Sequence, residues 1–307
     1  MENIELLLKE ILLEIRELKL EVRELKLGAA KNVKEVKKVS KVKEVEVSFE
    51  KEDKKDLIFE YQKSECIQEI EDYLASKNIK VKTKKKDTIL YSDNLSKLAN
   101  FIGKNYENVK EFIHKLKVDN NKAQGFTMNL KDFSPKKISD INQLAKWLYD
   151  IGFLEKYVYK NSPNFLLYAK LNRNPKAINF LLGGWMEIYI RNVVLKILSE
   201  IGLDGCYIKN YQISLPDEKD FELDLVFKVG DDFYWIETKT GDYQSYINKY
   251  ANFYKLIGIN KENAFLVLSD MSEEGAKTLS DMYEINTLRL QDFEREFKKR
   301  VGVLDED

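Results

Sequence analysis

The sequence predicts a chain whose C-terminal part is an α/β domain, a mixed β-sheet flanked by helices, preceded by a mainly helical region and an N-terminal coiled coil. Three observations support this order. Apolar residues recur at alternating four- and three-residue spacing over residues 4–25, they follow helical spacing between 57 and 180, and helical and strand periodicity alternate from residue 183 onward. At 307 residues, the chain is long enough for roughly two or three compact units.

Charge balance and the rare residue types limit the classes of function. The formal net charge is −1, so a nucleic-acid partner would have to be held by local basic surface. Two cysteines, Cys66 and Cys206, exclude a disulfide framework or a four-thiolate zinc site, and the single histidine, His114, excludes a histidine-rich zinc centre. Charges interrupt the apolar N-terminus every few residues, so neither a membrane span nor a signal peptide is predicted, and the expected location is the cytoplasm.

Residues 1–30 are predicted to form a parallel coiled coil. The heptad places Leu8, Ile15 and Val22 at a and Ile4, Ile11, Leu18 and Leu25 at d. The last two heptads combine a β-branched residue at a with leucine at d, and glutamates at g meet lysines at e only if the chains run parallel, so a homodimer is predicted. A second apolar row on the opposite face leaves a higher oligomer, or packing on the protein's own body, as alternatives: Leu6, Leu13, Leu20 and Leu27.

Residues 31–55 form a low-complexity tract of lysine, glutamate and valine. Valine recurs at about every third residue, a spacing that suits neither a helix nor a strand, and the charge density is high. We therefore predict a charged linker that tethers the coiled coil to the rest of the chain.

Residues 56–180 are predicted to be mainly helical. Helical periodicity covers 64–77, 94–103, 105–117 and 139–151. A short basic hairpin is expected at 79–91. Residues 136–172 contain a helix, a break at Gly152 and two apolar runs, and a helix followed by a hairpin is the pattern of a winged-helix unit. A helical connector that never touches nucleic acid is the alternative interpretation.

Residues 181–307 are predicted to form the α/β domain. Its expected elements are a helix at 184–201, strands at 206–214, 221–228 and 232–239, a helix at 242–257, and strands at 263–268 and 285–290. Asp242 and Ser272 are expected to cap helix N-termini. Short links between the first three strands imply antiparallel pairing, and helices between the later strands imply crossover connections, so the sheet is expected to be mixed.

Acidic residues interrupt two of these strands. Strand periodicity assigns one face of strand 221–228 to Phe221, Leu223, Leu225 and Phe227, and the other to Glu222, Asp224 and Val226. It assigns Glu237 and Lys239 to one face, with Phe233 and Trp235. Because acids in apolar surroundings are costly unless a charge compensates them, Asp224 and Glu237 are predicted to bind one Mg²⁺ or Mn²⁺ ion. Lys239 would then help to deprotonate the attacking water or stabilise charge on the phosphate.

Glu187 is the fourth candidate for the catalytic site. It heads the inward stripe of helix 184–201, which continues with Ile190, Val194, Ile197 and Ile201. A carboxylate at the head of an apolar stripe points towards the sheet. Considered alone, a glutamate in the first turn is better explained by its favourable interaction with the helix dipole.

Three segments, LLGGWMEIYIRNVV, FELDLVF and WIETKTG, together resemble the PD-(D/E)xK nuclease superfamily, whose fold is restriction-endonuclease-like. In motif style they are most similar to the effector nuclease domains of CRISPR ancillary proteins that carry a sensor for cyclic oligoadenylates. The resemblance covers about residues 180–270. It implies that Asp224 and Glu237 are metal ligands, the Thr238 carbonyl a third ligand, Lys239 the catalytic lysine and Glu187 an auxiliary ligand through water.

The resemblance does not extend to the sensor domain. The N-terminal half shows neither βαβ alternation nor the glycine-rich turn that such a sensor needs. Control by a cyclic nucleotide is therefore not expected for this chain.

The helix after the ExK strand supplies candidates for contacts with nucleic acid. Gln244 falls where several nucleases of the superfamily place a glutamine near the active site, and Lys249 is a second candidate. Tyr246, Tyr250 and Phe253 keep core spacing and are expected to pack in the core rather than stack on substrate.

Glu222 and three basic runs each have two interpretations. Glu222 is expected to be exposed at the start of its strand, with a second metal site as the alternative. The runs at 84–86, 136–137 and 298–300 are expected to be solvated rather than bound to phosphates.

The function predicted from the sequence is a homodimeric endonuclease that needs Mg²⁺ or Mn²⁺. DNA is favoured over RNA as substrate only because most members of the superfamily act on DNA. Host defence, mobile-element biology and DNA repair are all compatible biological contexts. Two alternatives stay open: a nuclease fold that binds nucleic acid without cutting it, and a coiled-coil adaptor that recruits partners.

Overall fold

Two β-sheets organise the residues that the computed structural model describes, which are 64–84, 92–122, 124–217 and 219–304. These ranges fall within one compact unit, Lys55–Asp307. None of their helices is long and apolar enough to span a lipid bilayer. The predicted coiled coil, the predicted linker and the second half of the predicted basic hairpin lie outside the described residues.

The N-terminal part of the described chain is mainly helical. Its elements are α1 (Ser64–Ser76), β1 (Lys80–Lys84), α2 (Ser92–Lys104), α3 (Tyr106–Lys122), β2 (Phe126–Asn129), α4 (Pro135–Asp150), β3 (Leu154–Lys160), β4 (Leu166–Leu171) and α5 (Pro175–Asn179). The four helices predicted here are confirmed to within a few residues. The start of α4 follows from local sequence: Pro135 comes directly after Ser134, whose hydroxyl accepts a hydrogen bond from the Lys137 N–H at 3.3 Å.

The C-terminal part alternates helices and strands. A π-helical turn, Phe180–Gly184, leads into α6 (Trp185–Ile201), β5 (Gly205–Ser214), β6 (Asp220–Val229), β7 (Asp232–Lys239), α7 (Ile247–Ile257), β8 (Ala264–Leu268), α8 (Glu273–Tyr283), β9 (Asn286–Arg289) and α9 (Phe293–Arg300). Each predicted strand of this part is present within one residue of its expected bounds. Ser272 caps α8 as predicted, because its hydroxyl accepts a hydrogen bond from the Gly275 N–H at 3.1 Å.

The larger sheet has the strand order β1-β5-β6-β7-β8-β9. Short turns join β5, β6 and β7, which are antiparallel. Helices α7 and α8 carry the chain back between β7, β8 and β9, which are parallel. The prediction of a mixed sheet flanked by helices is confirmed.

The edge of this sheet is formed by β1, which pairs antiparallel with β5, far along the chain. The hairpin predicted at 79–91 stays a prediction, because its second half lies outside the described residues. Helix α1 packs on the same sheet, and a disulfide joins its Cys66 to Cys206 in β5. The first elements of the region 56–180 are therefore built into the larger sheet.

The smaller sheet lies in the helical unit, residues 92–171, and has the order β2-β4-β3 with antiparallel pairing throughout. Helix α4 followed by the β3–β4 hairpin matches the order expected for residues 136–172. The winged-helix interpretation stays a prediction.

Hydrophobic cores cover both faces of the larger sheet. On one face, α6 packs against the sheet and against α2, and Ile190 and Val194 of its predicted inward stripe are fully buried. On the other face, α1 and α7 bury Leu74 and Phe253 around Trp235. The acidic candidates lie on the internal strands β6 and β7 and at the start of α6.

Candidate active site

Asp224 and Glu237 lie side by side on β6 and β7. The pairing of Leu225 with Ile236 makes the two acids neighbours across the antiparallel strands. Only 7% and 2% of their surfaces, respectively, are exposed. The Thr238 N–H donates to Asp224 Oδ2 at 2.9 Å, and the Thr238 hydroxyl donates to the same oxygen at 3.2 Å. The strands thus hold two carboxylates together where water reaches them poorly.

Strand β6 changes its facing at Asp224, which corrects the strict alternation expected for this strand. Phe221 packs in the same core as Val226, although a regular strand would place them on opposite faces, and Leu225 packs in the other core. Opposite this point, Asn210 of β5 adopts the left-handed conformation with a φ of 51°. Asparagine tolerates that conformation better than most residues do. The change of facing thus falls at the acid of β6, which lies opposite the acid of β7.

Lys239 lies between the two acids. Its Nζ is 2.8 Å from Glu237 Oε1 and 3.8 Å from Asp224 Oδ2. Burial opposes the charge of the ammonium, but the two carboxylates outweigh burial and hold the pKa of Lys239 above its usual value. The lysine therefore carries its proton at neutral pH and supplies positive charge to the acid pair.

Burial raises the pKa of both acids. For Glu237, burial and then the charge of Asp224 outweigh the attraction of Lys239, and the pKa rises to about 8. For Asp224, burial raises the pKa in spite of Lys239 and the hydrogen bonds from Thr238. The buried Glu237 Oε2 has no hydrogen-bond partner of good geometry among the described residues. The pair therefore costs folding free energy, which is expected of acids at functional sites.

Glu187 approaches the same site from the first turn of α6. Burial and then the charge of Asp224 raise its pKa to about 7, while a hydrogen bond with Asn210 opposes the rise. The helix-dipole explanation applies to this position as well. The charges of Asp224 and Lys239 nevertheless act on Glu187. Lys239 contacts Glu237 and lies 3.8 Å from Asp224, so these three residues form one cluster, which Glu187 approaches from α6.

The donor set of the site fits a divalent cation. Two carboxylates converge, and Glu237 Oε2 is a buried acceptor without a good partner among the described residues, which is the kind of oxygen that Mg²⁺ and Mn²⁺ bind. Within the described ranges, no three His, Cys, Asp or Glu side chains are grouped so that they could hold a metal ion by themselves. A further protein ligand would therefore be a main-chain oxygen, as the resemblance implies for Thr238.

The turn before α7 differs from its prediction. The helix begins at Ile247 and not at residue 242, so Asp242 does not cap it. Its carboxylate instead accepts hydrogen bonds from the Gln244 N–H at 2.9 Å and the Ser245 hydroxyl at 2.8 Å. This short turn, residues 242–246, is held by its own side chains.

The two predicted contacts with nucleic acid lie on the surface. Gln244 is exposed in the turn before α7. Lys249 is exposed on α7, but its ammonium donates to the Asp220 carbonyl at 3.0 Å and lies 4.6 Å from the centre of the Phe221 ring. Neither residue belongs to the buried acid cluster, and their role in binding nucleic acid stays a prediction.

The tyrosines of this segment divide between core and solvent. Tyr250 and Phe253 are buried, as expected, but Tyr246 is 48% exposed, so its assignment to the core was wrong. Tyr246 precedes the first residue of the helix, so helical spacing does not determine where its side chain lies. Glu222 is exposed, as expected.

Two residues join the site without any prediction from the sequence. Asn210 bonds to Glu187, and an asparagine in the middle of a strand was the only available signal. Lys117 of α3 donates from its Nζ to the carbonyl and the hydroxyl of Thr240, at 2.9 and 3.0 Å. Burial lowers the pKa of Lys117. A helix of the N-terminal half thus contacts the residue that directly follows Lys239.

Two solved structures resemble this fold. One is the crystal structure of protein VC1899 from Vibrio cholerae, with a TM-score of 0.52 and 19% identity over 75% of this chain and 59% of that chain. The other is Can2 from Sulfobacillus thermosulfidooxidans in complex with cyclic tetra-adenylate, with a TM-score of 0.52 and 16% identity over 76% of this chain and 61% of that chain. This chain thus spans about three fifths of the length of each.

Identities this low establish a shared fold alone. The sequence matches no protein-family model and no curated protein. The mixed α/β architecture is therefore shared with these structures, while the PD-(D/E)xK assignment stays a prediction.

Proposed function

We propose that this protein is a nuclease that hydrolyses phosphodiester bonds of nucleic acid with the help of Mg²⁺ or Mn²⁺. The observation that carries the proposal is the buried pair Asp224 and Glu237 on adjacent strands, with the Lys239 ammonium between them. A protein has little structural reason to bury two neighbouring carboxylates and leave one oxygen without a good partner, whereas a metal-dependent hydrolase needs such oxygens.

Asp224 and Glu237 would hold the cation, with the Thr238 carbonyl as a further ligand and Glu187 in contact through water. When bound, the cation polarises a phosphoryl oxygen and makes a water molecule more acidic. The Thr238 hydrogen bonds fix Asp224 against β7, so the acid does not need to reorganise when substrate arrives.

Lys239 is assigned the electrostatic role. In the metal-free protein, the carboxylates beside it hold its pKa above the usual value, so it keeps its proton there. A protonated lysine beside the phosphate stabilises the negative charge that develops on the phosphoryl oxygens during attack. Of the two roles that the sequence left open, this one agrees with the charges around Lys239.

DNA as the favoured substrate comes from the superfamily resemblance. Assembly as a homodimer comes from the predicted coiled coil at 1–30, and light scattering of the chain with and without these residues tests it. Can2 binds cyclic tetra-adenylate. We do not propose this ligand for the present chain, because its sequence lacks the pattern expected of a sensor domain.

The deciding experiment is incubation of the full chain with labelled single- and double-stranded DNA and RNA, in EDTA, Mg²⁺ or Mn²⁺. We expect cleavage only with the divalent cations. Glu237→Gln should lose this cleavage. Asp232→Asn is its matched control and should keep cleavage, because Asp232 is an exposed acid at the start of the strand that carries Glu237. Binding without cleavage in every condition would favour the competing function, a nuclease fold that holds nucleic acid without cutting it.

A further inference from the structure

An exposed aromatic ring stands beside the candidate active site. Tyr246 is 48% exposed and stacks on Tyr250, with 6.2 Å between ring centres and 25° between ring planes. Leaving an apolar ring of this size in water forgoes the gain of burying it. Tyr250 lies beside the Tyr246 ring, and the 48% of Tyr246 that stays exposed is available to a flat partner.

Tyr250 connects this ring to the catalytic groups. It is buried, and its ring centre lies 5.4 Å from Lys239 Nζ. The charges of Glu237 and Lys239 act on its hydroxyl. A row of three side chains, Tyr246, Tyr250 and Lys239, therefore leads from the solvent to the acid pair.

The backbone holds Tyr246 in place. The Tyr246 N–H donates to the Tyr243 carbonyl at 2.9 Å, and the Tyr250 N–H donates to the Tyr246 carbonyl at 3.1 Å. The Asp242 carboxylate closes the preceding turn. A ring presented from an ordered turn loses little conformational entropy when a ligand stacks on it.

We propose that Tyr246 is a stacking platform for a nucleobase next to the phosphate that is cut, so that the substrate is single-stranded nucleic acid or a nucleotide already outside a duplex. This rests on the proposed nuclease function and names its substrate class. Every base has a flat face that an aromatic ring can cover. A base inside a duplex is already stacked on both sides and would have to leave the helix to reach Tyr246.

The chain offers a matched control. Tyr149 of α4 is 47% exposed and has its ring centre 6.4 Å from that of Tyr157, in the helical unit. Tyr149→Ala removes an equally exposed, equally paired tyrosine elsewhere in the fold. Tyr246→Phe keeps the ring and removes the hydroxyl, which separates stacking from hydrogen bonding.

The test measures binding of a short single-stranded oligodeoxynucleotide that contains 2-aminopurine, in Ca²⁺, by anisotropy and by 2-aminopurine fluorescence. In wild type, binding should quench the fluorescence. Tyr246→Ala should weaken binding by about fivefold to a hundredfold and abolish the quenching. Tyr246→Phe and Tyr149→Ala should leave both unchanged, as should Tyr246→Ala for a fully paired duplex.

Three results would overturn the platform: binding by Tyr246→Ala within about twofold of wild type, an equal loss by Tyr149→Ala, or no binding of the oligonucleotide at all. Cleavage in Mg²⁺ or Mn²⁺ is scored separately. If the chain binds through Tyr246 but never cuts, the proposed nuclease function is wrong and the stacking role of Tyr246 stands. A chain that cuts equally well with and without the Tyr246 ring, and shows no quenching, overturns the platform and keeps the nuclease.

Discussion

The two predicted halves of the globular chain carry opposite charge. Residues 56–180 contain 22 lysines and arginines against 15 acids, a formal charge of +7, while residues 181–307 contain 15 against 24, a formal charge of −9. A metal-dependent nuclease must attract a polyanion and also concentrate acids around a cation, and these demands conflict on one surface. If the chain is the nuclease proposed above, the difference in charge would divide these two demands between the halves.

The halves also differ in how they treat a buried acid. Asp119 at the end of α3 is 4% exposed, and its two oxygens accept hydrogen bonds from the main-chain N–H groups of Gln124, Gly125 and Leu171 at 3.1, 2.7 and 3.1 Å. Glu237 is buried as deeply but keeps an oxygen without a good partner among the described residues. Burial alone therefore does not identify a functional acid; a buried oxygen without a good partner, as in Glu237, is a further sign.

The largest effect is expected from substitutions in the acid cluster, compared with a substitution of the hydrogen-bonded Asp119. Asp224→Asn, Glu237→Gln and Lys239→Ala should each lower the cleavage rate at least about a hundredfold, since each removes charge from the proposed catalytic site. Asp119→Asn should instead lower the melting temperature by several degrees and leave cleavage per folded molecule unchanged. A gel assay beside a thermal melt measures both. Near-normal cleavage by Lys239→Ala would remove the assignment.

The next effect is the response of stability to metal. A cation that Asp224 and Glu237 bind in the folded chain alone stabilises that chain by mass action, so saturating Mg²⁺ or Mn²⁺ should raise the melting temperature by several degrees, on the order of 2–3 kcal/mol at about a hundred times Kd. Asp224→Asn should mute this rise, and Asp119→Asn should keep it. Differential scanning fluorimetry in EDTA and in metal measures it. An equal rise in wild type and Asp224→Asn would mean that the ion binds elsewhere.

A smaller effect is expected from pH on the metal-free protein. The pKa of Glu237 is about 8 in the folded chain and is ordinary when unfolded. A carboxyl whose folded pKa is raised contributes stability that is present below its unfolded pKa and is lost as pH rises through the folded value. In EDTA, the melting temperature of wild type should therefore fall, relative to Glu237→Gln, between about pH 5 and pH 8. Parallel pH profiles of the two proteins would contradict this.

Much of the larger sheet and the core of the site could be predicted from local patterns. Alternating apolar residues defined β6 and β7, and the tight turn between them made Asp224 and Glu237 neighbours. The position of Glu187 followed from helical spacing. These features depend on residues close together in sequence, where periodicity is informative.

Other features depended on contacts that a single sequence does not contain. The pairing of β1 with β5 and the bridge between Cys66 and Cys206 join distant segments. The switch of facing at Asp224 depends on the left-handed Asn210 opposite it. Helical spacing predicts a core position for Tyr246, but this residue lies in the turn that precedes α7. In each case tertiary structure overrode a regular local pattern.

The smallest effect is expected at the outer face of the three-stranded sheet, where the pairs Lys156–Lys170 and Val158–Tyr168 face each other across β3 and β4. Lys156 Nζ lies 5.5 Å from the centre of the Tyr168 ring, so positive charge and an aromatic ring share this surface, and Lys160 follows on β3. If the basic half attracts the substrate, Lys156→Glu with Lys160→Glu should raise the Kd for nucleic acid several-fold. It should also lower the slope of log K against log salt by about one for each lysine that contacts a phosphate.

The cleavage rate at saturating substrate should not change in this double variant, because neither lysine touches the acid cluster. Lys277→Glu is the control, since it makes the same charge reversal at an exposed site on α8 in the acidic half. Titrations by anisotropy at several salt concentrations measure the Kd and the slope. If the double variant and Lys277→Glu weaken binding equally, the effect belongs to net charge alone and the proposed division between the halves fails. If only the double variant does, attraction is located on the three-stranded sheet, and the acid-rich sheet depends on it to bring substrate to Lys239.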